Sequence, residues 1–348
     1  MMEWAEKPNI RSLTAEQITD WVKRAEVENY RAKQIYDWLW VKQVNSFEAM
    51  SNLSKSLRQR LEEQFTFPTI RPDLIQQSMD GTIKTRFLLT DDEKIESVLI
   101  PVPEDKRFTV CVSTQVGCSL TCAFCATGKM KRTRNLEAFE IVDQYIQVNQ
   151  QSLAHYGHPL TNIVYMGMGE PLLNYAEVME STRLLTQRIG LSPRRITVST
   201  AGIAKMILRL ADEEVKFNLA LSLHAADDQK RHEIMPINEH NNLRALMDAL
   251  DYFYQKTRNK ITFEYIAFEQ FNDTLEDARN LLRFCRRFPV TVNIIEYNRI
   301  EGFDGLKSSD EKINQFARFL REHQVDVTVR KSRGKDIDAA CGQLANKN

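Results

Sequence analysis

The chain has 348 residues, 43% apolar and 27% charged, which is enough apolar side chain for one large core or two moderate ones and excludes a mostly disordered protein. Lysine plus arginine and aspartate plus glutamate each number 47, so no net field draws the molecule onto nucleic acid or an anionic membrane, and any polyanion contact must come from local patches. The opening Met1-Met2-Glu3-Trp4-Ala5-Glu6 has neither the basic flank nor the apolar run of a secretory leader, and no stretch approaches the ~18 consecutive apolar residues of a membrane span. A cytoplasmic protein without membrane contact is expected.

Residues 1–65 read as a helical accessory domain. Thr14 and Gln17 have capping-box spacing ahead of Ile18, Trp21 and Val22; residues 30–40 carry apolar side chains at helical intervals, and 53–65 give a third helix. Arg31, Lys33, Lys42, Lys55, Arg58 and Arg60 offer contacts to RNA phosphate, or simply a solvated face. Residues 66–108 form a small β extension or linker, with alternating stretches at 82–89 and 94–100 on either side of the turn at Asp91-Asp92.

From 109 to 325, strands and helices alternate. Strands are expected at 109–113, 162–166, 196–199, 217–223, 261–268 and 291–295, and the main helices at 136–154, 175–189, 203–211, 243–257, 275–288 and 312–323. Parallel neighbours need crossover helices, so the fold class is α/β; six units are too few for a closed eight-stranded barrel and suit an open, partial (β/α)6 TIM-like one. Residues 326–348 give a short strand at 326–330 and a polar tail.

Cysteines stand at 111, 118, 122, 125, 285 and 341, and Cys118, Cys122 and Cys125 make a C-x3-C-x2-C array just after the first barrel strand. Thiolates are soft ligands, which leaves an iron–sulfur cluster or zinc. Three cysteines on one loop can hold three irons of a cubane and leave the fourth open to a small molecule. Zinc needs a fourth ligand, and His155 and His158, the nearest histidines, lie beyond a predicted helix; a zinc-stabilised RNA-binding module is the alternative from another functional class. Further motifs stand at strand ends, where barrel active sites assemble: Gly167-Met168-Gly169-Glu170-Pro171, Ser199-Thr200-Ala201-Gly202, Ser222-Leu223-His224-Ala225 and Tyr297-Asn298. Alone, each is an ordinary turn, cap or core residue; their shared register is what points to a site. Cys285 matches no motif and reads as structural.

The cysteine array, with Phe124 before its third thiol, resembles the radical S-adenosylmethionine (SAM) superfamily. The resemblance implies a radical SAM partial barrel with one 4Fe-4S cluster on Cys118, Cys122 and Cys125 and SAM on the open iron. Gly169 and Glu170 would then meet the methionyl end of SAM, and Ser199, Ser222, Leu223, His224 and Asn298 its nucleoside end. More specifically, Arg31-Ala32-Lys33-Gln34-Ile35, Ser51-Asn52-Leu53-Ser54, the GMGEP turn with Leu172-Leu173-Asn174, the SLHA strand end, Met235-Pro236-Ile237-Asn238 and the tail from Asp336 to Leu344 are similar to the RlmN family of RNA adenine methyltransferases.

That family methylates carbon 2 of adenosine 2503 in 23S ribosomal RNA and of adenosine 37 in transfer RNA. This carbon lies between two ring nitrogens and is too electron-poor to attack an electrophilic methyl group directly, which calls for a radical route. The resemblance implies that Cys341 takes a methyl group from one SAM, that the deoxyadenosyl radical from a second activates it, and that Cys111 releases the RNA adduct by forming a transient Cys111/Cys341 disulfide. Glu96 matches the family glutamate that accepts the ring proton. The implied partners are 23S RNA before complete ribosome assembly, transfer RNA, and an electron donor such as flavodoxin with its reductase. Relatives of the Cfr type act at carbon 8 and usually lack a proline at the position of Pro171, so its presence favours carbon 2. The basic runs 129–134 and 330–335 flank the chemistry and could hold phosphates.

Overall fold

The computed structural model describes residues 7–347; Met1 to Glu6, on which the leader reading rests, lie outside the described residues. Helix α1 (Ala15–Arg24) starts at the expected capping box: the Thr14 hydroxyl accepts from the Gln17 amide at 3.2 Å, and the Gln17 side chain accepts from the Thr14 amide at 2.8 Å. With α2 (Tyr30–Trp40) and α3 (Lys55–Gln64) it completes the helical domain.

Ten strands form a single sheet. Strands β1 (Arg71–Gln77), β2 (Ile83–Leu88), β3 (Lys94–Val102) and β4 (Arg107–Cys111) pair antiparallel in sequence order. From β4 the sheet continues in parallel through β7 (Asn162–Tyr165), β8 (Ile196–Thr200), β9 (Asn218–Ser222), β10 (Ile261–Ala267), β11 (Val290–Glu296) and β12 (Asp326–Arg330). The crossovers carry α4 (Ala138–Tyr156), α5 (Tyr175–Leu184) with a π-helical turn at Leu185–Ile189, α6 (Ala204–Asp212), α7 (Asp228–Ile234), α8 (Leu243–Thr257), α9 (Leu275–Cys285) and α10 (Asp310–Glu322). Strand β10 is buried at every position, as a parallel strand covered on both faces should be.

This is the expected α/β partial barrel, with three additions. The β extension belongs to the barrel sheet, because β3 hydrogen-bonds to β4. The terminal strand β12 pairs with β11 and makes a seventh parallel strand. Strand β1 is new: its residues are exposed or half-buried and it is broken by a bulge between Pro72 and Leu74, so the apolar alternation that marks a strand is missing. A short pair, β5 (Gln115–Val116) with β6 (Arg134–Asn135), closes the base of the cysteine loop. Among the described residues, no helix is long and apolar enough to cross a membrane.

The helical domain is fixed to the barrel by a buried ion pair. Arg11 reaches Asp143 on α4 through Nη1 at 2.7 Å and Nη2 at 2.5 Å, and its guanidinium lies over Trp40 and Phe139. Removing one partner of such a pair strands the other charge in the interior. Asp143→Ala should therefore cost about 3–5 kcal/mol in chemical denaturation. Arg11→Met with Asp143→Leu, which removes both charges, should recover much of that loss.

Candidate active site

The loops after the parallel strands enclose a cavity lined by Cys118, Cys122 and Cys125, by Gly169 and Glu170, by Ser199, Ser222 and His224, and by Cys341 and Gly342 of the tail. Three of the strand-end motifs and the two cysteine segments thus converge in one wall; the fourth motif, Tyr297-Asn298, is outside the lining.

Burial pushes the Cys118 thiol up to about 11 and Cys122 higher still, and each is raised further by Cys125. Two buried thiols beside a third, each disfavoured as a thiolate, fit a positively charged inorganic centre, which reverses that penalty. Among the described residues, no three His, Cys, Asp or Glu side chains converge as ligands of one metal ion, the arrangement zinc requires. A cubane, whose irons are spread over its corners, accepts a wider spacing of donors.

The GMGEP turn is held by close approach to the chain after β4. A Cβ on Gly167 would lie 2.7 Å from the Val112 carbonyl oxygen, and Gly169, at φ +95°, has Gln115 in the place of a side chain. Glu170 is buried; one carboxylate oxygen accepts from the Leu172 amide at 3.0 Å and the other from the Ala201 amide at 2.7 Å. Burial raises its pKa against these hydrogen bonds. Lone pairs remain for an ammonium group in the cavity.

His224 sits at φ 54°, a left-handed conformation uncommon for histidine, fixed by its own amide donating to the Glu264 carbonyl at 3.2 Å and by Asn272 donating to its carbonyl. Its Nδ1 accepts from the Ile266 amide at 3.1 Å, which places the proton of the neutral ring on Nε2. Burial, with Arg231 adding to it, lowers the pKa from 6.5 to about 3. A depressed pKa means that the associated stability is complete above 6.5 and is lost as pH falls toward 3. Nitrogen-resolved NMR should show His224 neutral, protonated at Nε2, down to about pH 4.

Leu223 and Asn298 are outside the cavity lining. Leu223 is fully buried in the main core, its carbonyl accepting from Arg231 at 3.1 Å. Asn298 donates to the carbonyl of Cys341 at 3.4 Å and so seats the tail. Cys111, at the end of β4, is outside the cavity lining but senses Cys341: burial first and then that thiol push it up to about 12. Cys341 is open to solvent through the cavity even though protein surrounds it; desolvation and then the Glu264 carboxylate raise its thiol to about 11. Both are free thiols.

Glu96 is also outside the cavity lining. One of its oxygens lies 3.4 Å from Lys84, and the other accepts from the Ala345 and Asn346 amides at 2.9 and 3.2 Å. The tail is held further by Asp336 on the Ser78 hydroxyl (2.6 Å), by the Ala126 amide on the Gly342 carbonyl (2.7 Å) and by Thr127 on the Leu344 carbonyl (2.6 Å). Glu296 accepts from the Ser332 amide and pairs with Lys335, and despite its partial burial these bonds and Lys307 hold it down to about 2.

The basic runs are partly committed internally. Arg134 is clamped by Asp91 and Glu140, Lys129 by the Glu301 and Gly302 carbonyls, and Lys335 by Glu296. In the helical domain, Arg58 and Arg60 donate to the carbonyls of Glu48 and Ala25. Sequence reasoning passed over two buried charges, Glu264 within β10 and Arg231 on α7. Glu264 is a lone charge in a strand buried throughout, a signal that could have found it; Arg231 looks like any helix-surface arginine.

Comparison with known proteins agrees with this geometry. Residues 8–67 match the family described as "Ribosomal RNA large subunit methyltransferase N-terminal domain", and residues 112–285 match "Radical SAM superfamily". The chain is 52% identical to a probable dual-specificity RNA methyltransferase RlmN of Cytophaga hutchinsonii over 98% of its own length and 94% of the relative's. It is 44% identical to the dual-specificity RNA methyltransferase RlmN of Geobacter sulfurreducens, covering 87% of this chain and 82% of that one. The crystal structure of a radical SAM methyltransferase from Sphaerobacter thermophilus superposes with a TM-score of 0.91 at 39% identity, covering 98% of this chain and 100% of that one. Relatives this similar extend through both the helical domain and the cysteine cavity, so the chain belongs to the RlmN family of radical SAM, dual-specificity RNA methyltransferases.

Proposed function

We propose that the protein methylates carbon 2 of adenine, in adenosine 2503 of 23S ribosomal RNA and adenosine 37 of transfer RNA, and uses two SAM molecules for each methyl group. The observation that carries this reading is Cys341 on the wall of the cavity that also holds the three-cysteine array. A methyltransferase that only passed a methyl group from SAM to RNA would need no thiol there. Pro171, also in the cavity wall, favours carbon 2 over carbon 8.

The superfamily implies a 4Fe-4S cluster and SAM. Cys118, Cys122 and Cys125 would hold the cluster, and together with SAM it supplies a carbon radical able to break a C–H bond. Glu170 binds the ammonium end of SAM. Ser199, Ser222 and the Nε2–H of His224 offer uncharged partners to its ribose and adenine. Cys341 accepts the methyl group through sulfur and later carries the RNA covalently, and Cys111 displaces the product by attacking the Cys341 sulfur. For Glu96 to take the ring proton, the tail amides must first release it; in the conformation described, it holds the tail that carries Cys341. The partners under this reading are 23S RNA before complete ribosome assembly, transfer RNA and a flavodoxin-type electron donor, in the cytoplasm.

The test is mass spectrometry of ribosomal and transfer RNA from cells lacking the gene and from the same cells with it restored. Restored 2-methyladenosine at both positions is the expected result. Restored 8-methyladenosine, or no change in either RNA, overturns the proposal.

A further inference from the structure

Arg231 is fully buried, and its guanidinium is bonded only to neutral acceptors. Nη2 donates to the Ala201 carbonyl at 2.5 Å and the Ser222 carbonyl at 3.2 Å, Nε to the Leu223 carbonyl at 3.1 Å and Nη1 to the Asn238 side chain at 2.8 Å. Among the described ion pairs none involves it. A buried cation normally has an anion beside it, because hydrogen bonds to carbonyls do not cancel a whole charge. Asp228 is the carboxylate that acts on it, with a side chain between them: Asn238 takes the guanidinium on its oxygen and gives its amide to Asp228 Oδ1 at 2.9 Å. Burial brings the guanidinium down to about 10, so it still carries its charge at neutral pH.

The other end of the guanidinium faces the cavity: Ala201 and Ser222, whose carbonyls take Nη2, line it together with Cys122. The cysteine loop is tied to α7 directly, through the Ala123 amide donating to the Ile234 carbonyl at 2.9 Å. The same guanidinium crosses the ends of β8 and β9, which line the cavity with Ser199 and Ser222.

We propose that Arg231 is the built-in countercharge of the iron–sulfur centre and sets its reduction potential. This rests on the cluster assignment above. One-electron reduction by an external low-potential donor adds one negative charge to a centre already bound by three thiolates. A fixed cation in a water-poor site favours the more negative state and raises the potential, which eases entry of the electron. Asp228, the weaker and opposing neighbour, lowers it. Arg231 is a positioning residue here, with no contact to substrate invoked.

The experiment is an anaerobic redox titration of the reconstituted holoenzyme with titanium(III) citrate and mediator dyes, read by electron paramagnetic resonance of the reduced centre. Arg231→Met should shift the midpoint to more negative potential, and Arg231→Lys, which keeps the charge without the planar fork, should restore most of it. Asp228→Asn keeps the Oδ1 acceptor for Asn238 and for the Leu243 amide and should shift the midpoint the other way. An unchanged midpoint in Arg231→Met with the centre intact overturns the proposal. If that variant loses the centre, Asp228→Asn decides: no shift, or a negative one, overturns it. Iron and sulfide analysis of the native protein separates this failure from failure of the cluster assignment itself.

Discussion

Alanine at Cys118, Cys122 or Cys125 should leave the protein folded, strip it of iron–sulfur absorbance and bring RNA methylation below detection. The fold should survive because the three side chains line an open cavity, while the core that carries stability is built from residues such as Phe263, Leu219 and Ile163 of the sheet. Loss of one cavity-wall thiol removes few packing contacts, so a change within about 1 kcal/mol is expected in thermal or chemical unfolding of the metal-free protein. The chemistry, in contrast, has no second route. The electron-poor ring carbon of the proposed reaction will not take an electrophilic methyl group, and the protein's own side chains offer no substitute for a radical. A roughly 10³-fold or greater loss is therefore the minimum, equivalent to at least about 4 kcal/mol of transition-state stabilisation. Iron and sulfide content, the visible spectrum and methyl transfer should fall together in all three variants. A variant that keeps full methylation without the centre would refute the radical assignment outright.

The parallel strands and the array were legible because their signals are local. A capping box at Thr14, apolar runs separated by amphipathic helices, and three cysteines within eight residues each need only a short window. What escaped is non-local. Strand β1 owes its existence to hydrogen bonds with β2, and its side chains are too exposed to advertise it. Leu223 shares a motif with two cavity residues, yet strand alternation turns it into the core while Ser222 and His224 reach the cavity. Glu96 was matched by its place in the chain, but its partners are tail amides nearly 250 residues away. Arg231 has a meaning only once Ala201, Ser222, Leu223 and Asn238 have been folded around it. Sequence patterns report periodicity and spacing; they do not report which buried charge is left without a partner.

The two thiols outside the array should fail in opposite ways. In the proposed cycle Cys341→Ala removes the atom that would take the methyl group, so no methylated protein, no adduct and no product should form, although Cys118, Cys122 and Cys125 are untouched. Cys111→Ala keeps that atom and removes the one that attacks it. Cys111 ends β4, whose main chain is locked between β3 and β7, whereas Cys341 is on a tail pinned by side-chain and amide contacts from Glu96, Ser78, Thr127 and Ala126. The fixed thiol is therefore the one suited to wait, and the tail is the element that can carry a covalent RNA. In the proposed cycle, release requires Cys111 to form a bond to the Cys341 sulfur while the sulfur–carbon bond breaks; the electron pair stays on the carbon, which takes up a proton to complete the methyl group. Without Cys111 the reaction should stop one step earlier, with RNA attached to Cys341. That species should migrate as a protein–RNA band that survives denaturation, collapse on nuclease treatment, and map to the peptide around Cys341 by mass spectrometry. The double variant should give neither band nor product. Multiple turnover by Cys341→Ala, or unimpaired turnover by Cys111→Ala with no adduct, would show that the two cysteines do not share a covalent cycle.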